Sequence, residues 1–327
     1  MTIHRRHFLA AIGSTMLALP AMSWAQPRIQ TLRVLCGYPA GGGVDVVCRR
    51  IAEKLAGRHA AAAIVENKSG AAGRIAMQEL KQGAPDGSVL LITPASVVTM
   101  YPHVFRNPGY DPFVDATPVS TVAQTAFAFA VGSRVPASVV DVDGFVAWAR
   151  TQKSPAQCGN AGAGSMPHFV AMLAGRAMGC ELQHIPFRSG SNAMQAAATG
   201  ELDLAVATES AARPLVAAGK LRVLATSGAQ RSPFFREART LKEAGYPTLV
   251  YEEWFGAFMP PRTPPDIAQA VSRTIGEAMG DRDVRDTWDN LGLRAQASTP
   301  DQLRESVRVE HAFWGKAVAE LNFTPDA

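Results

Sequence analysis

Twice in this 327-residue chain a run of strand formers breaks into glycines and resumes with helical spacing. Thr31–Cys36 reads as a buried strand, and Gly37–Gly43 breaks it. From Val44 the positions Val46/Val47, Ile51 and Leu55 form one helical stripe. Gln157–Gly159 is a second such strand, followed by the glycine-rich Gly159–Gly164 and a helix over about 166–178. A strand that feeds a helix through a short loop, and then another strand, packs back only as a right-handed crossover onto a parallel sheet. The fold class expected is therefore α/β.

The remaining elements keep that alternation. Ala63–Glu66 is a short strand, Ala71–Gln82 a helix, Pro85-Asp86-Gly87 a turn and Val89–Thr93 a strand. Further strands are expected at Ala126–Val131, Leu182–Pro186, Leu202–Val206, Leu221–Thr226 and Trp254–Met259. Helices are expected at 141–151, 192–199, 264–280, 283–291 and 300–320. Thr263-Pro264 and Thr299-Pro300 look like helix starts, with proline in the first turn. Two α/β halves in one chain suggest two similar lobes with a cleft between them.

The N-terminus bears on compartment. Arg5-Arg6 precede an apolar run through Leu19, and Ser23-Trp24-Ala25 places small residues where a signal peptidase reads. The run is shorter than the ~20 residues a spanning helix needs. A cleaved leader over 1–25, with a twin-arginine character, is expected to export the chain to the periplasm. The formal charge is +4, and loss of the two leader arginines leaves +2. That is too small for nucleic-acid binding, and no cluster of Lys/Arg with interleaved aromatics is present. Of the four cysteines, Cys158 and Cys180 fall in one region and could pair; the alternative is four buried free thiols.

Ligands of open α/β sheets gather beyond the strands' carboxyl ends, where glycine loops expose amides at helix starts. Tyr38, Pro39, Ala40, Gly42, Gly43, Val44 and Asp45 form one such loop, and Gly164, Ser165 and His168 belong to the other. Both offer positive partial charge, so a small anion is favoured. Asp45 would repel an anion directly, and capping its helix is its expected role. Ser165 and His168, three residues apart, invite a hydrolase reading, but no Gly-x-Ser-x-Gly turn surrounds Ser165. Gly159–Gly164 lacks dinucleotide spacing and no P-loop lysine follows, so no cofactor is expected.

These residues resemble a known family, the periplasmic solute-binding (Bug) receptors of tripartite tricarboxylate transporters. Tyr38–Asp45 resembles its aromatic-Pro-x-Gly-Gly-x-x-Asp loop, and Val65–Gly73 its Val-Glu-Asn-basic-x-Gly-x-x-Gly segment. Pro85-Asp86-Gly87, Tyr110-Asp111-Pro112, Gly162–Ser165 with His168, Ile185–Arg188, Gly200–Asp203, Glu243–Pro247 and Trp254-Phe255-Gly256 continue the likeness in order. The resemblance implies a two-lobed, hinged fold similar to type II periplasmic binding proteins. One lobe would hold 30–125 plus 250–327, the other 126–249, with crossing strands at Thr121–Val131 and Val250–Met259. It implies a monomeric, non-enzymatic receptor that closes on a small carboxylate and docks on membrane transporter subunits, or on a sensor receptor. Ligand-facing positions would include Thr93, Ser96, Phe187, Arg188, Ser189 and Thr208, with Arg188 able to pair with a second carboxylate.

The chain departs from the family pattern in three places. Ser189-Gly190-Ser191-Asn192 replaces Gly-x-x-Pro, Val97 and Val98 replace frequent polar side chains, and Val44 replaces a frequent hydroxyl. Those changes predict a less polar cleft, suited to an aromatic or short-chain monocarboxylate rather than citrate.

Overall fold

The computed structural model describes residues 29–321 and 323, so the leader read at 1–25 lies outside the described residues. β1 (Ile29–Cys36), α1 (Gly43–Leu55) and β2 (Ala60–Asn67) come first, then a tight 3-10 turn, Ala71–Gly73, that runs into α2 (Arg74–Lys81). β3 (Val89–Pro94), two short helices α3 (Ala95–Thr99) and α4 (Tyr101–Val104), and the long β4 (Thr117–Val131) follow. The middle of the chain contributes α5 (Val142–Ala149), β5 (Ala156–Ala161), α6 (Met166–Met178), β6 (Leu182–Phe187), α7 (Gly190–Thr199), β7 (Leu204–Thr208), α8 (Glu209–Ala217), β8 (Arg222–Thr226) and β9 (Arg239–Thr240). β10 (Glu252–Met259), α9 (Pro265–Gly280), α10 (Arg282–Asn290), β11 (Arg294–Ala295) and α11 (Pro300–Glu320) complete it.

All the strands join one sheet, ordered β2-β1-β3-β10-β4-β7-β5-β6 along its main path. β1 is parallel to both neighbours, with Cys36 opposite Asn67 and Ile92. β5 is likewise parallel to β6 and β7, with Ala161 opposite Phe187. β4 links the two parallel sets: its first part pairs with β10, and its last residues pair with β7 and β8. It is longer than the strand read at Ala126–Val131, because Gln124 and Thr125 interrupt its apolar run yet lie between paired neighbours.

The helix signals read from the sequence have visible causes. α1 buries Val47, Ile51 and Leu55 of the expected stripe and adds Cys48, while Val46 is half-buried; each large buried aliphatic side chain contributes about 1.5–3 kcal/mol. α6 ends at Gly179 in the left-handed conformation, where glycine carries no Cβ penalty. Thr299 caps α11 through a reciprocal pair with Gln302, satisfying two amides that a helix start otherwise leaves open. Trp288 is fully buried and donates to the Val122 carbonyl at 2.7 Å, pinning α10 beneath β4. α8 was not foreseen, because Pro214 sits inside it. All four cysteines are buried and free, so the Cys158–Cys180 pairing is not formed. Among the described residues no helix is long and apolar enough to cross a membrane.

Candidate functional site

At the end of β1 the chain leaves the sheet as an exposed loop over Pro39–Gly43. Gly41 has φ +82°, a left-handed turn that any side chain would strain. Asp45 holds this loop in place. Its carboxylate is 2% exposed and accepts from Gly41 N (2.9 Å), from Arg49 Nε (2.9 Å) and Nη2 (3.0 Å), and from Asn67 Nδ2 (2.8 Å). Burial raises its pKa, but those hydrogen bonds outweigh burial and hold it at about 2. Asp45 is thus a clamp reaching back to the loop. The N-cap position is Gly42, which has no side-chain cap, so the capping role expected for Asp45 is replaced by this one.

Asn67 ties the same loop from the next strand, donating to Tyr38 O at 3.0 Å as well as to Asp45. The half-buried Tyr38 lays its ring against Gly73, where a Cβ would meet it at 3.3 Å. A Cβ on Gly37 would come within 2.7 Å of Gly73 Cα, so the two glycine turns touch through their backbones. The first-turn amides of α1, at Gly43, Val44 and Asp45, have no partner inside the helix.

β3 ends beside this loop. Thr93 is 1% exposed, and its Oγ1 lacks a hydrogen-bond partner among the described residues. Ser96, on α3, donates its amide to Glu253 Oε1 at 3.0 Å. Burial pushes the Glu253 carboxyl up to about 7. Glu310 stands close by, accepting from Trp254 Nε1 at 2.6 Å, and burial raises it to about 7 as well. Glu252 pairs with Arg294 and Gln124. None of these acids was anticipated; the only sequence signal is Glu252-Glu253 opening an otherwise apolar strand. Val97 and Val98 are fully buried core residues, so they do not wall an open cleft as their polar-to-apolar change suggested.

The second edge carries the other loop. Gly162 and Gly164 both have positive φ (+66° and +76°). Ser165 occupies the N-cap position of α6, but its hydroxyl donates to Gly162 O at 2.9 Å instead of capping. The Gly164 amide donates to His168 Nδ1 at 3.2 Å. His168 is buried, stacked 3.7 Å from His184, and burial lowers its pKa to about 4. The ring is therefore neutral with its proton on Nε2, and Ser165 and His168 hold separate partners rather than a nucleophile–base pair.

The other positions read from the sequence divide into ends and caps. Phe187 ends β6 and packs over Gly159, where a Cβ would meet it at 3.1 Å. Arg188 is exposed just beyond. Ser189 caps α7, accepting from Asn192 N at 3.2 Å, so the departure from Gly-x-x-Pro produces an ordinary capped helix start. Thr208 ends β7, its hydroxyl 2.7 Å from that of Ser210. The structure brings Tyr38–Asp45, Thr93 and Ser96 to one carboxyl edge, and Gly164, Ser165, Phe187, Arg188, Ser189 and Thr208 to the other.

The two edges approach each other at Gly164, where a Cβ would sit 3.0 Å from Val104 of α4 and 3.5 Å from Phe323. Gly164→Ala should therefore cost about 1–2 kcal/mol in backbone strain alone. Denaturant unfolding reads this directly, and an unchanged midpoint would contradict the left-handed conformation of Gly164 (φ +76°). A separate groove of about 520 Å³ lies at the far end of β10, lined by Thr117, Arg273, Pro300 and Arg304 among others.

The fold is a two-lobed α/β fold similar to that of periplasmic binding proteins. The chain matches the model of the tripartite tricarboxylate transporter family receptor over residues 47–323, and it belongs to that family. A Cupriavidus necator relative, a UPF0065 protein in the gbd 5' region, is 31% identical over 285 residues, 85% of either chain. Two solved structures are similar in fold and sequence. Rpa4515 from R. palustris with adipate has a TM-score of 0.80 and 26% identity, covering 92% of this chain and 100% of that one. MatC from Rhodopseudomonas palustris with bound malate has a TM-score of 0.73 and 25% identity, covering 89% and 99%.

Proposed function

We propose that this protein is an exported receptor that captures a small organic carboxylate between its lobes and presents it to separately encoded transporter subunits. The observation that carries this reading is the pair of glycine loops, Tyr38–Gly43 and Gly162–Ser165, each opening a helix at a carboxyl edge. Backbone amides at helix starts are ready-made donors for a carboxylate, and they need no buried cation. The unpartnered Thr93 hydroxyl beside the first loop offers one further hydrogen bond.

Residues 30–125 with 250–327 form one lobe in this reading, and 126–249 the other. The crossing strands within Thr121–Val131 and Val250–Met259 act as the hinge. Closure brings Arg188 toward a second carboxylate. Relatives that hold adipate and malate support a small mono- or dicarboxylate as ligand. With Val97 and Val98 in the core, the argument for a strictly monocarboxylate cleft loses its main support. The receptor works as a monomer in the periplasm after loss of residues 1–25, and it returns its ligand unchanged, since Ser165 and His168 are engaged elsewhere. A sensor role would use the same closed state, and neighbouring genes for membrane subunits or for a sensor kinase distinguish the two.

The test is a thermal-shift panel of mono-, di- and tricarboxylates on protein refolded to strip bound ligand. A ligand at 100 times its Kd adds about 2.7 kcal/mol, a rise of a few degrees. Shifts confined to carboxylates support the reading, and none with any acid overturns it.

A further inference from the structure

α11 packs along α3 and α4, the helices that follow β3, and the chain beyond it reaches across to α6. There the Phe323 ring meets Phe169 at 5.0 Å, with 69° between the ring planes, and His168 at 5.6 Å and 74°. A Cβ on Gly164 would lie 3.5 Å from the same ring. Trp314 supports the contact from within α11, 6.2 Å from Phe169 and again edge-on. Phe323 itself is half-buried at the margin of the main apolar cluster, so filling the core is not its chief role.

What Phe323 touches is the side chain that holds the second glycine loop. His168 is stacked on His184 at 3.7 Å, and Phe323 meets it nearly at right angles. An imidazole gripped by two rings has little freedom to turn, and its Nδ1 stays in place to accept from the Gly164 amide at 3.2 Å. That bond holds Gly164 in its left-handed turn, φ +76°, just ahead of the α6 start.

We propose that Phe323 is a positioning residue for ligand capture, holding the Gly162–Ser165 loop toward the first loop through His168. This rests on the reading of the two glycine loops as the cleft, and of 250–327 as part of the lobe opposite α6. Edge-to-face aromatic pairs attract beyond the area they bury, and they are lost once the rings part. Separation of the lobes draws Phe323 off α6, so the contact favours the closed arrangement and orders the loop before a carboxylate arrives. A bound acid leaves only after the contact breaks, and Phe323 therefore acts on dissociation more than on association.

The experiment compares the wild-type full chain with Phe323→Ala and Phe323→Tyr. Amide hydrogen exchange, followed by NMR without ligand, reads the loop. Gly164 is expected to exchange about tenfold faster in the alanine variant, the worth of two aromatic pairs, while Val170 and Ala171 inside α6 stay protected. Stopped-flow binding of the acid that gives the largest thermal shift should then show a Kd about tenfold weaker, carried by faster dissociation. Tyrosine, which keeps the ring, is expected to restore both. A residue that only packs would lower Tm and leave the Gly164 exchange and the Kd as they are, and that result overturns the proposal. Faster exchange with an unchanged Kd overturns the role in capture. Should the alanine variant fail to fold, Phe323→Leu, which keeps apolar bulk without a ring, is judged by the same two readouts. If no acid binds the wild type, the cleft reading fails, while the Gly164 exchange still decides whether Phe323 holds the loop.

Discussion

Asp45→Ala is expected to remove about 2 kcal/mol of stability and at least tenfold in ligand affinity. The stability figure follows from a carboxyl held at about 2 against an ordinary 3.8, with one pKa unit worth about 1.4 kcal/mol. Arg49 is half exposed, so part of its attraction is screened and the figure is not raised further. The affinity loss has a different origin. Without the carboxylate, the Gly41 amide, Asn67 Nδ2 and Arg49 all lose their shared acceptor, and the loop is no longer held against α1. Ordering it again on binding costs what the clamp now supplies in advance. The sign with pH also follows: a depressed carboxylate stabilises above about pH 4, and that contribution disappears as pH falls through about 2. Unfolding in denaturant and calorimetry read the two effects. A loss below about 0.5 kcal/mol, the range of ordinary surface substitutions, would show that Asp45 is not a clamp.

Glu253→Gln should change the pH dependence of stability by about 3 kcal/mol between pH 5 and 8. Glu253 is 7% exposed, and burial raises it from 4.5 to about 7. The unfolded chain gives up this proton near pH 4.5 while the folded protein keeps it to about 7. Its stabilising contribution is therefore complete below about pH 4.5 and lost as pH rises through 7. Glu310 titrates in the same direction. His168 opposes both: a buried neutral imidazole at about 4 gains stability as pH rises from about 4 to 6.5. The wild-type profile sums these opposing slopes, so the informative quantity is the difference between wild type and variant. Glutamine can still accept from the Ser96 amide but carries no charge to desolvate. Parallel wild-type and variant slopes would mean that Glu253 is solvated and ionised throughout.

Much of this architecture was legible in the residues because its signals are local. The Gly-rich break after Cys36, the stripe of α1 and the Thr299-Pro300 start of α11 each act within a few positions and appear as read, whereas β5 runs on past Gly159 to Ala161 because Asn160 and Ala161 still pair with β6. What escaped depends on partners far apart in sequence. The Ser96 amide meets Glu253 across 157 positions, and Trp254 meets Glu310 across 56. No periodicity encodes such pairs. Asn67 was visible as part of a family-like segment, but its role as a second anchor of the first loop needed the β1–β2 register that sets it opposite Cys36. Ser189 was named ligand-facing through the family resemblance; its hydroxyl caps α7, a role its place before a helix also suits. The run 91–100 is buried throughout, which conceals where β3 stops and α3 begins and left Val97 and Val98 looking like cleft residues.

The most direct test of the account is a crystal structure of the mature protein with the acid that gives the largest thermal shift. The account predicts a carboxylate within hydrogen-bonding distance of amides in Gly41–Asp45, with Gly162–Ser165 closed over it from the other lobe. Ligand density in the groove lined by Thr117, Arg273 and Arg304, with the two glycine loops untouched, would contradict it.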